Sequence, residues 1–194
     1  MNTEKKSRSI YLVLVPHRDI RQKVQKYSDS LVKNSFTGIY TFPCVAPLAS
    51  LSQPLNNDEL KHFAHFLREA TGWGKITAAE TAFTPFPSGT DDMALFGPCL
   101  DINISEFFTQ RRREEEGGGN YSSKIITLFS PIVIGTCLIP EYHKQQLRVT
   151  PWLNPLELSF RAAAVANMSW QPVQIDGEAA FKWKIGKLSW LQNK

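Results

Sequence analysis

Short unbroken apolar runs alternate along this chain with stretches in which apolar residues recur every three to four positions. Ile10–Val15 (Ile-Tyr-Leu-Val-Leu-Val) is a continuous run of strand formers closed by Pro16. It is too short for a helix core and predicts a central strand buried on both faces. Ile20, Val24, Tyr27 and Leu31 then share one face at helical spacing, after a capping signal of Asp19 with Gln22. Arg21, Lys23 and Lys26 fall on the opposite face, so this helix covers a sheet and turns a basic side to water. Thr37–Phe42 predicts a second strand, stopped by Pro43. Beyond Pro54, Asn56 or Asn57 caps a second helix, with Asp58 and Glu59 favouring the positive end of its dipole. Leu60, Phe63, Ala64 and Leu67 form its buried stripe, and Thr71-Gly72 ends it.

Extended segments follow at Ile76–Phe83 and Met93–Ile102, separated by the turn-rich Pro85-Phe86-Pro87-Ser88-Gly89. A helical turn around Ile104–Arg113 runs into Gly117-Gly118-Gly119-Asn120, a natural boundary between two halves. Lys124–Phe129 and Ile132–Ile139 read as strands, Glu141–Leu147 as a short helix, and Phe160–Val173 and Phe181–Leu191 as a closing strand pair. Between that pair, Asp176-Gly177 is a hairpin signal. This order predicts an α+β fold: a single domain, 1–194, of two lobes dividing near 114–123. Antiparallel-rich sheets flanked by helices would leave a groove between the lobes.

Composition narrows the function classes. The 194 residues predict about one domain. With 42% hydrophobic and 21% charged residues, the chain is neither disordered nor a coiled coil. Its longest apolar runs, Ile10–Val15 and the interrupted Leu128–Pro140, fall short of the ~18–20 residues of a membrane helix, so no membrane role is expected. The first apolar run is also too short for a signal peptide. Cys44, Cys99 and Cys137 are odd in number, widely spaced and without a Cys-x-x-Cys, as suits buried small hydrophobes in a cytoplasmic protein. The net charge of +4 tolerates an anionic partner without demanding one, and the run Arg111-Arg112-Arg113 is cancelled by Glu114-Glu115-Glu116. No glycine-rich phosphate loop is present, and no cofactor is implied.

Several residues carry a resemblance. Tyr11-Leu-Val-Leu-Val-Pro16 runs into a loop and helix; Phe42-Pro43-Cys44-Val45-Ala46-Pro47-Leu48 precedes Asp58-Glu59-Leu60, Phe63 and Leu67 on the next helix. In the second half, Ser130-Pro131-Ile132-Val133-Ile134-Gly135 repeats the pattern, and Trp190 lies near the end of the closing strand pair. The layout resembles the two-histidine phosphoesterase superfamily, which includes RNA ligase-like proteins and cyclic phosphodiesterases. That resemblance implies a bilobal pseudo-symmetric fold with a Pro-His-x-Thr motif from each lobe meeting in the groove. Two imidazoles would act there as general base and acid, a task suited to a pKa near neutrality.

The chain departs from that pattern where the chemistry lies. Cys44 and Ala46 stand at the first motif and Ile132 and Ile134 at the second; a second motif at Thr150-Pro151-Trp152-Leu153-Asn154 would put Trp152 in the histidine's place. None of Ala46, Ile132, Ile134 and Trp152 transfers a proton. The expectation is a catalytically inactive, phosphoesterase-like protein that binds RNA or a nucleotide in its groove. Cys44, Ala46, Ile132, Ile134, His17 and Arg18 are the groove candidates; no catalytic residue and no metal ligand is assigned. Two alternatives stand beside it: an active phosphodiesterase with a rearranged site on Cys44 or His17, and a protein-interaction scaffold with an unidentified protein partner. His62 and His65 lack a third ligand and the His-Glu-x-x-His spacing, and read as a solvated helix face. The lysines in Phe181-Lys-Trp-Lys-Ile-Gly-Lys read as the water-facing side of an amphipathic strand, with base stacking by its aromatics as the alternative.

Overall fold

A computed structural model describes residues 8–33, 40–71, 75–87, 92–105, 108, 122–146, 156–172 and 179–191. The expected boundary at Gly117–Asn120, the hairpin Asp176-Gly177, Trp152 and most of Ile104–Arg113 lie outside the described residues. The architecture is mixed α+β: two helices and a large antiparallel sheet. In chain order the elements are β1 (Arg8–Pro16), α1 (Arg18–Lys33), β2 (Tyr40–Thr41), β3 (Ala46–Leu51), α2 (Asn57–Thr71), β4 (Lys75–Pro87) and β5 (Asp92–Leu100). Then come β6 (Ile125–Leu128), β7 (Cys137–Pro140), a 3-10 helix at Glu141–Gln146, β8 (Leu156–Pro172) and β9 (Ala179–Trp190). Hydrogen-bonded neighbours run β2-β7-β5-β4-β8-β1-β3-β6, with β9 also paired to β8.

β8 organises the sheet. Its start, Leu156–Ser159, pairs with β4; from Phe160 onward it pairs with β1, and from Ala162 with β9. β1 is buried on both faces, as its unbroken apolar run requires. Leu12 and Leu14 join a cluster with Ile20 and Val24 of α1 and Leu60, Phe63 and Leu67 of α2. Tyr11, Val13 and Val15 enter a second cluster, where Ala162, Ala164 and Ala166 of β8 meet Phe86 of β4, Met93 and Leu95 of β5 and Leu138 of β7. Leu31, near the end of α1, packs with Phe96 and Ile139 in a third.

α2 begins where its capping signal places it. The Asn56 Oδ1 accepts from the backbone N–H groups of Asp58 and Glu59 at 2.9 Å each, and the Glu59 carboxylate accepts from Asn56 N at 2.5 Å. This reciprocal cap satisfies three N-terminal donors. Lys124 Nζ donates to both Glu59 oxygens at 2.6 and 2.9 Å, tying the helix start to the approach to β6.

Three strand expectations change in the folded chain. Ala46–Leu51, to which the sequence pattern assigns no element, is β3, buried throughout and paired on both sides with β1 and β6. The β1–β3 register shifts between Leu12 and Val13, opposite Ala49 and Pro47, and this irregularity accommodates a residue without an N–H. β4 continues through Pro85-Phe86-Pro87, which had the look of a turn. Only its Lys75–Ala78 end pairs with β8, so the prolines sit where β4 pairs with β5 alone. Ile132–Ile139 is not one regular strand: only Cys137–Pro140 is, and residues 132–136 run antiparallel beside β5 with an isolated bridge at Val133 to Cys99.

Candidate functional site

The two motif-like segments come together in space. Phe42 N donates to Thr136 O at 3.2 Å and Gly135 N to Val45 O at 2.8 Å, so 42–45 and 135–136 run side by side. The second segment is seated on β5 by Ile134 N to Pro98 O at 2.9 Å and Thr136 N to Phe96 O at 3.0 Å. The Thr136 hydroxyl also donates to Phe96 O at 2.6 Å, and its carbonyl accepts from the Ser28 hydroxyl of α1 at 2.8 Å. Gly135 lies against the Phe42 ring, 2.0 Å from where a Cβ would sit, and no larger residue fits beneath that ring.

Backbone alternation then decides which side chains share a space. Ala46, Ile132 and Ile134 are buried in the cluster covered by α2, and Cys44 packs against the same cluster. The second cluster, between β1/β8 and β4/β5/β7, receives Val45 and Val133 instead. Around these valines Tyr11, Phe42, Phe86 and Phe129 form a ring stack with centroid separations of 5.1–6.0 Å. The two segments thus send Val45 and Val133 into this aromatic core, while Cys44, Ala46, Ile132 and Ile134 pack on the α2 side.

A pocket of about 490 Å³ opens at the edge of this core. Val15, Val45 and Ile185 give it an apolar lining, completed by Pro43, Cys44 and one side of α1. From α1 come Arg18, Arg21, Gln22 and Gln25, which recur at i, i+3, i+4 and i+7 and so form one polar stripe beside the apolar one. Among the described residues, neither guanidinium has an ion-pair partner; Gln25 Nε2 donates to Asp29 Oδ1 at 2.8 Å. Of the six sequence candidates, this pocket gathers Cys44 and Arg18. His17 is half-buried just before α1: its backbone N donates to Ser159 O at 3.1 Å and its carbonyl accepts from Arg21 N at 3.0 Å. It is not among the residues lining the pocket.

Burial pushes the Cys44 thiol up to about 12, against the opposing pull of the Arg21 charge. The sulfur is thus a protonated lining atom at neutral pH, not a thiolate nucleophile. Cys137, more deeply buried, is likewise raised to about 11. His65 pairs with Glu69 at 3.3 Å on the exposed side of α2. No group of three metal-ligating side chains occurs among the described residues. On β9, Lys184 and Lys187 are exposed while Ile185 and Leu188 pack against the second cluster; a register irregularity around Gly186 keeps both lysines outward. The side chains of Phe181, Lys182 and Trp183 lie outside the described residues.

Sequence reasoning missed Arg21, Gln22 and Gln25, having read Arg21 only as part of a solvated face. Their spacing with Arg18 was the available signal. It also missed Val45 and Val133, whose facing depends on where each strand begins. Comparison with known proteins finds no matching family model, no matching curated protein and no matching solved structure. None of the described helices is long and apolar enough to cross a membrane.

Proposed function

We propose that the chain is a non-hydrolysing relative of the two-histidine phosphoesterases that binds a nucleotide or the phosphate of an RNA in the pocket beside α1. In this reading the chain has two pseudo-symmetric lobes, dividing near 114–123, and each supplies one motif segment. In place of imidazoles those segments carry Cys44 and Ile132, and the edge of the old groove survives as the pocket. The observation that carries the reading is the pair of guanidiniums, Arg18 and Arg21, without an ion-pair partner among the described residues, lining a pocket of about 490 Å³ together with Val15, Val45 and Ile185. That volume falls within the roughly 300–1,000 Å³ typical of small-molecule sites. Guanidiniums are the side chains best suited to hold phosphate oxygens by paired N–H donors.

A rearranged hydrolase on Cys44 is disfavoured, because its thiol is held protonated by burial. The filled aromatic core around Val45 and Val133 supports a second reading, a protein-interaction scaffold that uses neither groove nor pocket. Calorimetry with 2′,3′-cyclic nucleotides and short RNAs, paired with a turnover assay on the same ligands, separates the three. Binding that weakens with added salt, without turnover, is expected. Turnover abolished by Cys44→Ala would establish the hydrolase, and no binding at low salt would leave the scaffold.

A further inference from the structure

The geometry points to a phosphomonoester dianion carrying an organic body, in preference to a phosphodiester or cyclic phosphate, as the group this pocket selects. The inference rests on the proposed reading that the pocket holds a phosphate, and it concerns which kind. Among the described residues, the pocket lining carries two formal charges, both positive, on Arg18 and Arg21. They sit three residues apart on α1, where helical neighbours lie roughly 5–6 Å apart at Cβ, close enough to share one tetrahedral anion. Asp29, the nearest acid on that stripe, is engaged by Gln25 and does not line the pocket.

Charge and oxygen count favour the monoester. A monoester near neutral pH carries close to two negative charges on three terminal oxygens. A diester or cyclic phosphate carries one charge on two, so one of two guanidiniums would remain uncompensated and short of acceptors. The rest of the pocket argues for more than inorganic phosphate. Its volume of about 490 Å³ far exceeds a single anion, and Val15, Val45 and Ile185 offer an apolar lining with no hydrogen-bonding side chain. The Gln22 amide stands beside the guanidiniums and adds a donor and an acceptor for the uncharged part. Cys44, held as a thiol, adds no negative charge to the site.

The test is isothermal titration of the full chain with six probes at one salt concentration. They are inorganic phosphate, a nucleoside 5′-monophosphate, a 2′,3′-cyclic monophosphate, the nucleoside alone, and a short RNA with and without a 5′-phosphate. The monophosphate is expected to bind about tenfold or more tighter than the cyclic ester and than inorganic phosphate. A 5′-phosphate that tightens the RNA to the same degree assigns the monoester to a polymer end; no such gain assigns it to a free nucleotide. Arg18→Gln and Arg21→Gln, both at exposed positions, should each weaken the monophosphate about tenfold and narrow its advantage over the cyclic ester. Cyclic ester bound as tightly as the monophosphate overturns this inference while leaving the phosphate pocket standing. Monophosphate binding untouched by both arginine variants, or no binding of any probe, overturns both.

Discussion

Replacing Gly97 by alanine tests how the second motif segment is held in place. A Cβ at Gly97 would lie 1.7 Å from the carbonyl oxygen of Ile134 and 2.8 Å from its carbon, whereas real Cβ contacts stay beyond 3.0 Å. The obstacle is backbone, so no rotamer change relieves it, and the two chains must part by about 1.3 Å. The bonds from Ile134 N to Pro98 O and from Thr136 N to Phe96 O straddle Gly97 and would open together, as would the buried Thr136 hydroxyl bond to Phe96 O. At about 1 kcal/mol for each of these three hydrogen bonds, with a further ~1–3 kcal/mol if a buried polar group is left unsatisfied, the loss is ~3–6 kcal/mol. The entropic advantage of alanine over glycine in the unfolded chain returns only ~0.4–1 kcal/mol. A net destabilisation of about 3 kcal/mol is therefore expected, large against the ~5–15 kcal/mol of a typical domain. Urea unfolding followed by circular dichroism measures it as a lower midpoint at unchanged slope. A midpoint equal to or above the parent would refute the close approach of residues 132–136 to β5.

Lys124→Met should cost about 3 kcal/mol, because it leaves the buried Glu59 carboxylate without its cation. Adding Glu59→Gln should recover part of that loss, a coupling readable by urea titration of the two single variants and the double. Above pH 9 stability should fall. Cys44 and Cys137 are raised from 9.0 to about 12 and about 11, and Tyr27 from 10.0 to about 12, so the folded chain keeps protons that the unfolded chain releases. Their contribution is complete below pH 9 and lost as pH rises through 11–12; a melting temperature flat to pH 11 would contradict this burial.

How legible the fold was depended on how local its cause is. α1 and α2 were readable because the stripe Ile20, Val24, Tyr27, Leu31 and the cap Asn56 with Glu59 act within one or two turns. The β8–β9 pair was legible as neighbouring apolar runs. β3 was not, since Pro47 argues against a strand and only the irregular register with β1 accommodates it. The candidate site was half legible. Arg18 and Cys44 do line a pocket, but which of two adjacent residues faces which cluster, Cys44 or Val45 and Ile132 or Val133, turns on a one-residue parity that the sequence pattern does not fix.

What the chain's own order of residues determined is the set of elements: a β1 apolar on both faces, two amphipathic helices with their caps, and the absence of any His-x-Thr pair to run a two-imidazole reaction. Those properties are set by side-chain type and by spacing along a few residues. Only the tertiary structure decided that segments 42–45 and 135–136 lie side by side, that valines and not Cys44 or Ile132 enter the aromatic core, and that Arg18 and Arg21 line one pocket with Val15, Val45 and Ile185. The reason is physical. Facing in a strand flips with every residue, and loops, bulges and distant partners set that register, not the local pattern.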